Sequence, residues 1–253
     1  MLEQNTSVFF HILISGLLMS LIALIGSVTL LIPKNMLDKI ILPLVSFAAG
    51  SLLSSSLFVF LPESIEHLGN RMPVYLYFAF GFLTFFVLEE FLHWHHCHHS
   101  SGHHRPLTVL VLVSDGVHNF IGGLAVASAF MIDFRTGLTA WVAAALHEIP
   151  QEMGDFGILI HDGWDRKKAL LYNFLSALTF PIAGMVVFFM AQYIHVEYIL
   201  PFAAGNFLYI AAVDLVPEIK NFDKLKSKTL HFFFFVLGMG VLLFFQYLVG
   251  HRH

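Results

Sequence analysis

The chain has 253 residues, 57% of them hydrophobic and only 12% charged, with a mean hydropathy of +0.77. A soluble domain carries about a quarter charged residues, so the deficit points to a surface that faces lipid and excludes an ordinary water-soluble globule. A formal net charge of −4 with no basic stripe excludes nucleic acid as a partner, and the single cysteine, Cys97, excludes an internal disulfide framework.

Taken in chain order, spanning-length apolar runs predict helices near 8–32, 39–62, 73–93, 107–131, 136–160, 168–193, 196–217 and 229–250. Each is long enough for a hydrocarbon core of about 30 Å at a rise of about 1.5 Å per residue. The first run lacks a basic leader and is read as a membrane helix, not a cleaved signal. The connections are short and polar, so one transmembrane domain is expected over 1–253. The expected fold class is an all-α polytopic membrane protein. Pro62, Pro150, Pro181 and Pro217 lie within or at the ends of these helices and favour kinks. The second helix ends on Leu61-Pro62-Glu63 and the seventh on Val216-Pro217-Glu218, a weak hint of a repeat of three helices on either side of the central pair.

The third connection, about 93–105, holds His93, His95, His96, Cys97, His98, His99, His103 and His104. By composition this is a metal-binding tract, expected to be disordered when empty, with a plain polar linker as the alternative. Orientation follows from basic residues. Lys34, Lys39, Arg105, Arg166, Lys167, Lys168, Lys220, Lys224, Lys226 and Lys228 fall on the odd-numbered connections; Arg71, Arg135 and Arg252 fall on the other side. This puts both termini outside and the histidine tract in the cytoplasm, where it suits capture or sensing of incoming metal.

The fourth helix carries Asp115, His118 and Asn119, spaced i, i+3, i+4 and so on one face. In the fifth, His147 pairs with Gln151 and Glu148 with Glu152, each at i, i+4, and Asp155 continues the face. Ionisable groups at membrane depth cost several kcal/mol each unless paired, hydrated or bound to an ion. Imidazole nitrogen with carboxylate oxygen suits Zn²⁺, Fe²⁺ and Mn²⁺ and not Cu⁺, so a bound dication is the simplest account. The blander one is an interhelical network of hydrogen bonds and ion pairs. Asn173 reads as an interhelical hydrogen bond rather than a ligand, and Met153 as packing.

The segments Asp115–Gly123 and His147-Glu148-Ile149-Pro150-Gln151-Glu152-Met153-Gly154-Asp155 resemble the signatures of the ZIP (zinc/iron-regulated transporter-like) family, closest to its LIV-1-type branch. The resemblance implies eight transmembrane helices in a 3+2+3 arrangement, the two outer units forming inverted-repeat halves around the central pair. Carried over by position, it implies that His118, His147 and Gln151 face one metal site and Asn119 and Glu148 a neighbouring one. Two strong ligands of the family pattern are replaced, by Gly122 and by Gln151. These departures favour one robust site over a full binuclear centre, with Glu152 compensating. The second helix also departs, having Ser55 and Val59 where the branch has an acid and a histidine. Asp115, Asp155, Glu63, Asp214 and Glu218 are further pathway candidates.

The implied function is transport of a divalent metal, Zn²⁺ or with it Fe²⁺, Mn²⁺ or Cd²⁺, toward the cytoplasm between helices four and five. The metal is substrate, and no organic cofactor is expected. The expected partners are divalent metal ions and the lipid bilayer, with a homodimer allowed. Short loops and the lack of a signal suggest a bacterial inner membrane. The alternatives are an intramembrane zinc metalloprotease, which would need the His-Glu-x-x-His that this chain lacks, and a non-transporting metal sensor.

Overall fold

The computed structural model describes residues 2–97, 105–161, 163–191, 193, 195–217 and 225–250. Helical runs follow one another with short links. The first, α1 (2–30), is α-helical over Leu2–Ile22 and tightens to a 3₁₀ helix over Ala23–Leu30. The second, α2 (34–68), passes from α-helix Lys34–Ser54 through a π-helix, Ser55–Phe60, to Leu61–Leu68. Next come α3 (Met72–Cys97), α4 (Arg105–Ile132) and α5 (Phe134–His161). The run α6 (166–190) is interrupted at Leu178 between Arg166–Ala177 and Thr179–Met190. A 3₁₀ turn Val196–Tyr198, an α-helix Ile199–Tyr209 and a second π-helix, Ile210–Leu215, make up α7 (196–215). The last, α8, is Leu225–Gly250.

These runs fall where the sequence puts its helices, within about four residues at most ends. One expectation is corrected: the polypeptide stays helical through His95, His96 and Cys97, so the histidine tract begins on the end of α3 and not in a loop. A helical end keeps the backbone polar groups bonded inside the chain. His98, His99, His103 and His104 lie outside the described residues. Among the described residues, six runs are long and apolar enough to cross a membrane, those within α1, α2, α4, α6, α7 and α8, and Met72–Leu88 of α3 is a shorter apolar helix. The run α5 is equally long but carries His147, Glu148, Glu152 and Asp155. Pro150 sits inside α5 without interrupting the helix. Pro62 follows the first π-helix after one residue, Leu61, and Pro217 follows the second after one residue, Val216.

Packing sets α4 and α5 together at the centre, with α6 against α4, α1 against α5 and α6, and α2 touching α5, α7 and α8. Two crossings, α2 with α8 and α3 with α7, are built alike. A Cβ on Gly50 would strike the carbonyl of Phe235, and one on Gly238 that of Phe47. Likewise Gly81 lies on the carbonyl of Phe202 and Gly205 on that of Phe78. Each crossing is thus a reciprocal Phe-x-x-Gly contact in which the absent side chains let backbones touch. Gly50 and Gly205, Ser55 and Ile210, and Pro62 and Pro217 are each separated by 155 residues. A buried core of Ala, Phe, Leu and Val, including Leu52, Phe60, Ala125, Ala144, Leu200 and Phe207, fills the centre.

Candidate metal centre

A single residue, Asp133, links α4 to α5. Its carboxylate accepts from the backbone N–H groups of Arg135 (2.7 Å) and Thr136 (3.1 Å) and from the Thr136 hydroxyl (2.5 Å), which starts α5 at once. So tight a link forces the helices to run side by side. His118 precedes Asp133 by 15 residues and His147 follows it by 14, which places both about 21–22 Å from the turn along their helices. They meet at one depth.

There the Nε2 atoms of His118 and His147 are 3.0 Å apart, and Oε2 of Glu148 lies 3.5 Å from the first and 3.6 Å from the second. All three residues are buried. A tetrahedral Zn²⁺ with ligand distances of about 2.0–2.1 Å has ligand–ligand edges of about 3.3 Å. The triangle therefore has nearly the size of one face of such a tetrahedron. Its histidines are held from outside the triangle: His147 Nδ1 lies 3.1 Å from the Ala143 carbonyl, and the rings pack edge-on against Phe207 and Phe85 respectively for His147 and His118. A backbone carbonyl at Nδ1 fixes the tautomer in which Nε2 is the free lone pair, the form a metal needs.

One helical turn on, Asp115, Glu148 and Glu152 bring a second set of ligand atoms within 4.8 Å of one another, again all buried. Glu148 belongs to both sets. Asp115 is held by the Asn119 amide (2.9 Å), the Gln151 amide (3.4 Å) and the Ser176 hydroxyl (2.5 Å). Glu152 accepts from the Asn173 amide. Asn119 Oδ1, Glu148 Oε1, Glu152 Oε1 and Asn173 Oδ1 are buried with no hydrogen-bond partner among the described residues. An unpaired buried acceptor costs about 1–3 kcal/mol, and several together form a pocket of lone pairs that a cation satisfies.

The sequence-based groupings are partly redrawn. Glu148 joins the two histidines as well as the neighbouring set, and the Gln151 amide turns to Asp115. Helix faces give the candidates; the rotation of α4 against α5 decides the partners. A Cβ on Gly122, where the family pattern has an acid, would lie 3.1 Å from the Phe180 ring, so an aromatic side chain already borders that position. Asp155 is only half-buried and lies outside both sets. Glu63 is not in the cluster either; it pairs with His67 (3.0 Å) on the last turns of α2. Asp214 belongs to the backbone of the second π-helix, and Glu218 lies outside the described residues. Ser176 is a contact the sequence reading missed, because a serine in an apolar helix ordinarily bonds its own backbone. Asn173 is the interhelical hydrogen bond expected, and Met153 is packed in the interior.

A family model described as ZIP zinc transporter matches residues 95–246. The chain is 38% identical over 152 residues to zinc transporter ZIP10 of Danio rerio, covering 56% of this chain and 18% of that protein. It is 43% identical over 141 residues to IAA-alanine resistance protein 1 of Arabidopsis thaliana (53% and 29%) and 44% identical over 120 residues to zinc transporter ZIP4 of Mus musculus (46% and 18%). The chain thus spans less than a third of the length of these curated relatives. The family is one of transporters and not of enzymes, which removes the protease alternative. An all-α, membrane-spanning chain with a buried imidazole–carboxylate cluster on its central pair, matched over more than half its length, belongs to the ZIP zinc transporter family, in its LIV-1-type branch.

Proposed function

We propose that this chain carries a divalent metal, Zn²⁺ foremost, across a membrane and toward the cytoplasm, through the site formed by His118, His147 and Glu148. The observation that carries this reading is the nitrogen–nitrogen–oxygen triangle of 3.0, 3.5 and 3.6 Å on two neighbouring helices. Two imidazoles and one carboxylate are a Zn²⁺ ligand set with a fourth position left for water or a further protein group. Asn119, Gln151, Glu152 and Asp115 stand next to it as a polar exit, with Asp155 beyond and Glu63 at a helix end. Neutral amides beside the carboxylates moderate affinity, as release demands.

The arrangement proposed is eight membrane helices, three on each side of the α4–α5 pair, with both termini outside. The like-built crossings and the two π-helices 155 residues apart support inverted halves. The basic residues support the orientation. Fish, mouse and plant relatives lend no support to a bacterial inner membrane. The histidine tract is read as a cytoplasmic capture segment, and a homodimer remains compatible with the fold.

The test is uptake of labelled Zn²⁺ by liposomes holding the purified chain. Uptake that competes with Fe²⁺, Mn²⁺ and Cd²⁺ and vanishes in His147→Ala supports transport. Zn²⁺ binding without uptake would favour the sensor alternative.

A further inference from the structure

The helix α6 turns three polar side chains toward the central pair at i, i+3 and i+6. Thr179 Oγ1 donates to the Gly116 carbonyl (2.7 Å), Ser176 Oγ to Asp115 Oδ2 (2.5 Å), and the Asn173 amide nitrogen to Glu152 Oε2 and to the Ala23 carbonyl (3.4 Å). Thr179 and Ser176 hydroxyls also bond their own helix and are fully accounted for. Asn173 is not. It is 0% exposed, its nitrogen is shared between two acceptors, and its carbonyl oxygen has no partner among the described residues. Flipping the amide would set its oxygen against two acceptor oxygens, so the orientation is fixed by its neighbours. Glu152 Oε1, on the head group that Asn173 grips, is likewise unpartnered and buried.

Two free oxygens on a bonded pair of head groups stand next to Asp115 and Glu148, where the donors of Asn119, Gln151 and Ser176 are already engaged with Asp115. The triangle of His118, His147 and Glu148 presents two nitrogens and one oxygen; this neighbour presents oxygen alone. Carboxylate and carbonyl oxygens suit harder cations such as Mn²⁺, whereas imidazole suits Zn²⁺ and softer ions.

We infer that Asn173 is a metal ligand supplied by a third helix: its amide nitrogen positions Glu152, and its carbonyl oxygen joins Asp115, Glu148 and Glu152 in an oxygen-only station one turn beyond the histidines. This rests on the transport reading and deepens it. Asn173 then sets which dications pass, because an ion leaving the histidines must accept oxygen ligands in turn.

The experiment compares the full chain with Asn173→Ala and Asn173→Asp in liposomes, measuring KM for Mn²⁺ and Cd²⁺ uptake, with Mn²⁺ binding to the purified chains followed by electron paramagnetic resonance. Asn173→Ala is expected to raise KM for Mn²⁺ about tenfold while Cd²⁺ stays within about twofold. Asn173→Asp retains an oxygen ligand and adds charge, so it is expected to bind Mn²⁺ at least as tightly as the parent. An equal change for both metals, or no change for either, overturns the inference. If Asn173→Ala fails to fold, weaker Mn²⁺ binding by Asn173→Asp overturns it alone. Failure of the parent chain to take up any dication removes the transport reading instead, and the Mn²⁺ binding data still decide the station.

Discussion

The central pair and the outer crossings solve opposite problems in the same membrane. Where α4 meets α5, imidazoles and carboxylates converge and several buried oxygens go without partners. Where α2 meets α8 and α3 meets α7, glycine lies on the backbone carbonyl of a phenylalanine. Lipid offers no hydrophobic drive for helices to associate, so close backbone packing has to hold them. The crossings supply that packing, and the centre can then tolerate an arrangement that leaves buried oxygens unpaired. Stability and chemistry are assigned to different helix pairs.

That division can be broken in order of expected effect. His147→Ala and Glu148→Ala should each lower Zn²⁺ uptake by about a hundredfold or more, with no loss of thermal stability in detergent, since each removes a buried polar group from the centre. A large fall in the unfolding temperature would show that the centre holds the fold together. Gly238→Leu and Gly205→Leu should do the reverse. Their side chains overlap backbone and cannot escape by rotation. The expected cost is about 1–3 kcal/mol or more, read as lost folded protein, while Zn²⁺ affinity of the surviving fraction is retained. Glu152→Gln replaces one carboxyl oxygen with an amide nitrogen and should cut uptake about tenfold, less than the histidine change. The smallest effect belongs to Gly240→Ala, two residues from Gly238 on the same helix but with nothing within 4 Å of its added Cβ. Stability should change by less than about 0.5 kcal/mol, and a larger loss would mean that α8 is crossed by something other than α2.

Much of the centre was readable beforehand because helix periodicity is rigid: spacing of three and four residues put Asp115, His118 and Asn119 on one face, and Glu148 with Glu152 on another. Which side chains meet across the gap was not readable, since it depends on how the two helices are rotated, and that rotation gives Glu148 to both sets and Gln151 to Asp115. The crossings were hidden for a different cause. Gly50 and Gly238 stand 188 residues apart, and a glycine in an apolar run carries no mark of the backbone it will touch. The paired Pro-Glu phrases at 62 and 217 stand 155 residues apart, as do the π-helices before them, which have no sequence signal of their own.

Those π-helices have a consequence for how the chain tolerates change in length. A π turn holds one residue more than the α-helix around it. Removing a single residue from 55–60 would let α2 close up as an ordinary helix with its ladder intact. The stretch beyond it, including the Glu63–His67 pair, would keep roughly its facing, because the wide turn that absorbs the extra residue goes with it. A one-residue deletion there would thus be absorbed with the Gly50 contact undisturbed, whereas the same deletion in the α-helical part of α2 would turn everything beyond it by about 100°.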